Sequence, residues 1–296
     1  MALYAFDGTW NDNQELDEFD TNVRKFFELS DEPDDRKLYT KGIGTRFGFV
    51  GRALGGAFGI GGRDRVKAAY EHLTKIWRPG EPIDVIGFSR GAAVALDFVN
   101  KIAKQKGKPG APQPPIRFLG LFDTVPAFGL PNVGPVEAID LNIGHDLTIP
   151  AGGVQHCAHA IALDERRNAF GVTRVAGAHE VWFRGCHSDI GGGNGNTKLS
   201  FIALRWMVRK AAISGVPINQ ARLRALGLDA GVDPSARIKL PKDFIKQDFR
   251  ASAAADRVHY SVGSIAGRPD RSDCNPVLFT VIETEADETT LLPRIL

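Results

Sequence analysis

Short apolar runs alternate along this chain with stretches whose apolar positions recur every three or four residues. Leu3-Tyr4-Ala5-Phe6 predicts a first strand, which stops at the turn-forming Asp7-Gly8-Thr9. Asp20-Thr21 reads as a helix cap, followed by Val23, Phe26, Phe27 and Leu29 at helical spacing. Residues 37–43 predict a second strand, and Val66, Tyr70, Leu73 and Trp77 mark a helix. Ile83, Val85 and Ile86 lead a third strand into a helix carrying Ala92, Leu96, Val99 and Ala103. Further strands are predicted at 118–122, 156–163 and 180–183, then an amphipathic helix through Phe201, Leu204, Val208 and Ala211. Residues 101–115 read as a surface linker, and the chain beyond 251 as irregular apart from a strand near 277–282. Strands alternating with helices predict an α/β fold, a mainly parallel central sheet flanked by helices. No repeat or break divides it, so residues 1–296 are expected to form one domain.

The junction at residues 81–93 carries most of the chemistry. Gly87-Phe88-Ser89-Arg90-Gly91 is a Gly-x-Ser-x-Gly pentapeptide set where a strand should end and a helix begin. That context is what the nucleophile elbow of an α/β-hydrolase requires. The glycines permit the tight turn that lifts Ser89 Oγ above the sheet, and the next helix aims its N-terminal amides at the same point. One oxyanion-hole amide would then be that of Arg90. Gly8 and Thr9, just beyond the first strand, are candidates for the other, and a tight Asx-capped surface turn explains the same residues equally well.

A histidine to take the serine proton and a carboxylate to fix its tautomer complete such a site. Asp123 and His187 follow Ser89 in the chain order of α/β-hydrolases. Each of the three falls directly after an apolar strand, so all would surface at one edge of a parallel sheet. On the residues alone, Asp164 and Asp140 remain rivals for the carboxylate and His259 for the base. Asp7, Asp164 and Asp189 are open to supporting roles. His156 and His159 lie three apart on one predicted strand and so face opposite ways, which argues against a shared metal.

Composition narrows the classes. A formal net charge of +2 over 296 residues, with no basic stripe, gives no case for nucleic acid. The three cysteines, Cys157, Cys186 and Cys274, match neither a disulfide framework nor a zinc motif and suit a reducing compartment. No Sec-type leader and no bilayer-spanning run are apparent, so a soluble protein, cytoplasmic in its producer, is expected. The glycine-rich stretch 42–62 matches no phosphate loop; it reads as a closely packed loop and helix or as a lid.

Several motifs in order carry a resemblance to a known family. They are Phe6-Asp7-Gly8-Thr9-Trp10-Asn11, Gly87-Phe88-Ser89-Arg90-Gly91-Ala92 and Phe122-Asp123-Thr124-Val125. His159-Ala160-Ile161-Ala162-Leu163-Asp164-Glu165-Arg166-Arg167 and Gly185-Cys186-His187-Ser188-Asp189-Ile190-Gly191-Gly192-Gly193 follow. Together they resemble the DUF2235 family, whose best-known members are the Tle1-type phospholipase effectors of bacterial type VI secretion. The resemblance implies an α/β-hydrolase with Ser89 as nucleophile, Asp123 as acid and His187 as base, and makes His259 structural. It implies hydrolysis of phospholipid acyl esters of the phospholipase A1 or A2 type, without metal or cofactor. Expected partners are the phospholipid or another acyl ester, a transiently contacted membrane surface, and an immunity or secretion-apparatus protein. Export would then proceed without a Sec signal. The alternatives are an esterase or thioesterase acting on a small soluble ester, and a non-catalytic scaffold that binds a partner.

Overall fold

The computed structural model describes residues 1–8, 16–42, 58–125, 146–167, 170–233, 235–238, 249–266 and 280–295. Thr9, Asp140, residues 126–135 and most of the 42–62 stretch therefore lie outside the described residues. The elements in chain order are β1 (Ala2–Phe6), α1 (Asn22–Leu29), β2 (Lys37–Thr40), α2 (Phe58–Ile76), β3 (Ile83–Phe88) and α3 (Arg90–Lys104). They continue with β4 (Ile116–Phe122), β5 (Val154–Ala162), β6 (His179–Phe183), α4 (His187–Gly191), α5 (Thr197–Ile213) and α6 (Gln220–Ala225). Last come β7 (Arg257–His259), α7 (Ser261–Ala266) and β8 (Val281–Glu283).

The strands form one sheet in the order β2-β1-β3-β4-β5-β6-β7-β8, and every described pairing is parallel. A parallel sheet is covered on both faces, which is why β1 reads as a continuous apolar run, why the one charge in β3, Asp84, is paired with Arg117, and why both strands are buried throughout. Alternate residues serve the two faces. Leu3, Ala5, Ile86 and Phe88 pack with Val23 and Phe26 of α1 and Leu204 and Trp206 of α5. Tyr4, Phe6, Val85, Leu119 and Leu121 pack with Leu73 of α2 and Leu96, Phe98 and Val99 of α3. The strand progression reverses after β2, so right-handed crossovers put α1 on one face and α2 and α3 on the other. The reversal lies between β1 and β3, and open α/β sheets bind their ligands in the crevice outside the strand ends at such a point. Gly8 follows β1 and Ser89 follows β3.

The expected cap of α1 is present: Thr21 Oγ1 accepts from Arg24 N at 3.1 Å. Two expectations need correction. Residues 101–104 are helix rather than linker, because Ile102 continues the buried face of α3 while Lys101 and Lys104 suit its C-terminal dipole. The tail is not irregular, since β7 and α7 stand where no periodicity was visible; a three-residue strand is too short to show one.

The added strands are anchored by a buried carboxylate. Glu283 on β8 accepts from Lys210 Nζ at 2.9 Å, His179 Nε2 at 2.8 Å and Trp206 Nε1 at 3.0 Å. Burial alone would raise its pKa, but the His179 and Lys210 bonds outweigh that and hold it at about 2. A carboxyl depressed on folding contributes stability above its unfolded pKa and loses it as pH falls through the folded one. Replacing Glu283 with Gln should therefore lower Tm at pH 7 and flatten the acid unfolding curve between about pH 4.3 and 2. A curve of unchanged slope there would refute this role.

Candidate active site

The elbow is built from three strand ends. Ser89 follows β3 with φ 58° and ψ −125°, a left-handed conformation that costs a non-glycine residue about 1–3 kcal/mol. Its N–H donates to Phe122 O at 2.9 Å, which ties the turn to the end of β4. Gly8 and Gly91 allow the third strand end to approach. A Cβ on Gly8 would collide with Phe88 O and lie 2.6 Å from Ser89 Cβ, and one on Gly91 would collide with Phe6 O. Arg90 Nη2 reaches back to Gly8 O at 3.3 Å, closing the β1 turn against the start of α3.

Ser89, Asp123 and His187 meet above this edge. His187 Nε2 lies 2.8 Å from Ser89 Oγ, and His187 Nδ1 lies 2.6 Å from Asp123 Oδ2. A carboxylate only accepts, so Nδ1 carries the imidazole proton and Nε2 is left to accept from the serine hydroxyl. All three are buried, and the imidazole is enclosed by Phe88 (centroids 4.6 Å apart) and by Phe170, edge-on at 4.8 Å. Burial pushes the His187 pKa below its usual value, only partly offset by the Asp123 bond and charge and by Glu165. Burial would raise Asp123, but the Arg250 charge and the bonds from His187 and Arg250 hold it well below the carboxylate range.

The remaining candidates take other places. Asp164 joins β5 to β6: it accepts from Arg184 Nη1 at 2.7 Å and Gly185 N at 2.8 Å. Asp189 caps α4 by accepting from Cys186 N at 2.9 Å, and its other oxygen takes Asn194 and Asn196. Asp7 accepts from Thr21 Oγ1 and Tyr39 Oη, both at 2.5 Å, and so anchors the end of β1. His259 lies on β7 with both ring nitrogens engaged, to Ser261 Oγ and Glu288 Oε1 at 2.7 Å each. Among the described residues, no group of three or more His, Cys, Asp or Glu is arranged to hold a metal ion, and no helix is long and apolar enough to cross a membrane.

Two further residues touch the site. Glu165, within a stretch that reads as an ion-paired surface turn, is buried, accepts His187 N at 3.1 Å and is held by Arg167 at 2.9 Å. Arg250 forks onto Asp123 from an irregular segment between α6 and β7. Neither is nominated from the sequence: the motif spanning Glu165 is a signal for the first, and a lone arginine in a coil gives none for the second.

An all-parallel sheet flanked by helices, with a strand–Ser–helix elbow at its switch point, defines an α/β-hydrolase-like protein. Residues 3–105 and 96–210 match the family described as "T6SS, Phospholipase effector Tle1-like, catalytic domain". The chain belongs to that family. Two solved structures are similar. A Tle1 effector bound to the VgrG spike of the type 6 secretion system is 24% identical, with a TM-score of 0.46, covering 64% of this chain and 50% of that one. An uncharacterized protein from Pseudomonas aeruginosa is 21% identical, with a TM-score of 0.55, covering 78% and 48%. The second shows the shared fold. The chain spans about half the length of the solved structures it matches. No curated protein matches it.

Proposed function

We propose that this chain is a serine hydrolase that cleaves carboxylic acyl esters of phospholipids, with residues 1–296 as one catalytic domain. The observation that carries the reading is the unbroken hydrogen-bond path from Ser89 Oγ through His187 to Asp123. His187 Nε2 takes the hydroxyl proton as Ser89 Oγ attacks the acyl carbonyl. The tetrahedral oxyanion falls to amides at the start of α3 (Arg90) and the β1 turn (Gly8, with Thr9 as the sequence suggests). Collapse breaks the ester bond, and His187 returns the proton to the departing alkoxide. Water activated by the same imidazole then releases the fatty acid. Membership of a type VI phospholipase effector family supports both the lipid as substrate and delivery by a type VI apparatus. Delivery of that kind starts from the producer's cytoplasm and uses no Sec signal.

The test is fatty-acid release from vesicles of phosphatidylethanolamine and phosphatidylglycerol, where the lyso-product identifies the A1 or A2 ester. Release by the wild type supports the reading. Cleavage of p-nitrophenyl butyrate without release from vesicles would keep the ester chemistry and overturn the lipid.

The pH profile follows from the buried imidazole. General-base catalysis needs neutral His187, and its pKa is lowered, so activity lost by protonation disappears only at more acid pH. The acid limb of kcat/KM should therefore have its midpoint below the ordinary histidine value of about 6.5. A midpoint above that value would contradict the burial described for His187.

A further inference from the structure

From the described residues Asp123 accepts four hydrogen bonds, which is about the full lone-pair capacity of a carboxylate. Oδ2 takes His187 Nδ1 at 2.6 Å and Arg250 Nη2 at 3.0 Å; Oδ1 takes Ala162 N at 2.8 Å and Arg250 Nη1 at 2.6 Å. The two arginine bonds form a bidentate fork, which fixes the carboxylate plane as well as its place. The same guanidinium donates to Ala162 O at 3.0 Å and Phe170 O at 2.5 Å. It thus joins the ends of β4 and β5 to the backbone of Phe170, whose ring covers His187. Arg250 is nearly buried, 7% exposed at the side chain, and the neighbouring Phe249 lies beneath Arg166, 4.3 Å from guanidinium carbon to ring centroid.

We propose that Arg250 is a positioning residue for the acyl-transfer relay: its fork holds Asp123 in the plane that aims His187 Nε2 at Ser89. The inference rests on the assignment of Ser89, Asp123 and His187 to that relay. Asp123 stands at φ 40°, in the left-handed region, a strained backbone that persists only where surrounding contacts hold it, and the Arg250 fork is one of these. The fork does this at an electrostatic cost. Asp123 is neutralised by a cation that also faces the imidazole, so the imidazolium formed when Ser89 gives up its proton is stabilised less. Among the described residues, the charged groups facing His187 are Asp123 after β4, Glu165 after β5 and Arg250. Among these Arg250 is the cation. Its removal should therefore raise the pH at which His187 protonates while slowing the reaction.

The experiment follows the rate at which a fluorophosphonate labels Ser89 between pH 4.5 and 9 in the wild type, R250M and R250K, with Tm measured for each. This readout needs no lipid. R250M is expected to label about 10²-fold more slowly at pH 8, the loss typical of a misplaced catalytic group, with its acid limb moved to higher pH. R250K, which keeps the charge without the fork, is expected to keep the wild-type midpoint and label at an intermediate rate. On vesicles the R250M loss should fall in kcat and leave KM within about threefold. Wild-type labelling by R250M at every pH would overturn the proposal. So would slower labelling with an unmoved midpoint, since general loosening lowers the rate without removing a charge. If R250M does not fold, R250K decides: labelling slowed at least tenfold supports the fork, and an undiminished rate overturns it. Failure of the wild type to label would overturn the assignment of Ser89, and the role of Arg250 with it.

Discussion

Replacing Ser89 with alanine should abolish acyl release, by roughly 10⁶-fold in kcat, with the fold intact. No covalent intermediate can form without the hydroxyl, and among the described residues the bond of Ser89 Oγ is to His187 Nε2 and not to the elbow backbone. The strained backbone adds a second, less obvious expectation. Ser89 and an alanine in its place share the φ of 58°, whereas glycine adopts that conformation freely. S89G should therefore be more stable than S89A by about 1 kcal/mol: the ~1–3 kcal/mol of strain relieved, less the ~0.5–1 kcal/mol that glycine's flexibility costs. Urea unfolding of the two inactive variants reads this directly. Equal midpoints would mean that the elbow stores no strain.

Exchanging Asp123 for asparagine should cost both activity and stability. Asparagine can present an N–H to His187 Nδ1, which selects the tautomer with the proton on Nε2 and removes the acceptor for the serine hydroxyl. Loss of that tautomer is worth about 10⁴-fold in kcat. The change also leaves the Arg250 guanidinium buried beside a neutral amide. Breaking a buried ion pair by removing one partner costs about 3–5 kcal/mol. Because the Asp123 pKa is depressed, the stabilisation is present above the unfolded value of about 3.9 and lost as pH falls below it. The gap between wild type and D123N should accordingly be full at pH 7 and close on acidification. The double variant D123N/R250M should regain part of the stability and none of the activity. Stability of D123N equal to wild type at pH 7 would show that the Asp123–Arg250 pair contributes nothing.

Much of the architecture was legible because a parallel sheet buries both faces of its strands. A run such as Ala2–Phe6 is apolar at every position, and Ile83–Phe88 is broken only by Asp84, which pairs with Arg117, and by Gly87; such runs stand out between helices of period 3.6. Ser89, Asp123 and His187 could be nominated together for the same reason, since each follows such a run. What stayed hidden was short or non-periodic. The five-residue α4 and three-residue β7 are set by neighbours rather than by their own pattern. The partners of the Asp123 carboxylate come from three separate stretches of chain, so Arg250 acquires meaning only when they converge. Glu165 read as a solvated ion pair because its arginine partners lie one and two residues away; its burial under His187 comes from the tertiary fold.

The order of the strands also sets when the chemistry can begin. Ser89 and His187 are separated by 98 residues, and Arg250 follows later still. A chain elongating at roughly 5–20 residues per second makes Ser89 about 5–20 s before it makes His187. The sheet itself is wholly parallel, a topology dominated by sequence-distant pairings that close slowly. Until then a nascent chain carries Ser89 without the imidazole that the proposed mechanism requires. On the proposed mechanism, ester cleavage would become available only once the β6 end, and His187 with it, has docked.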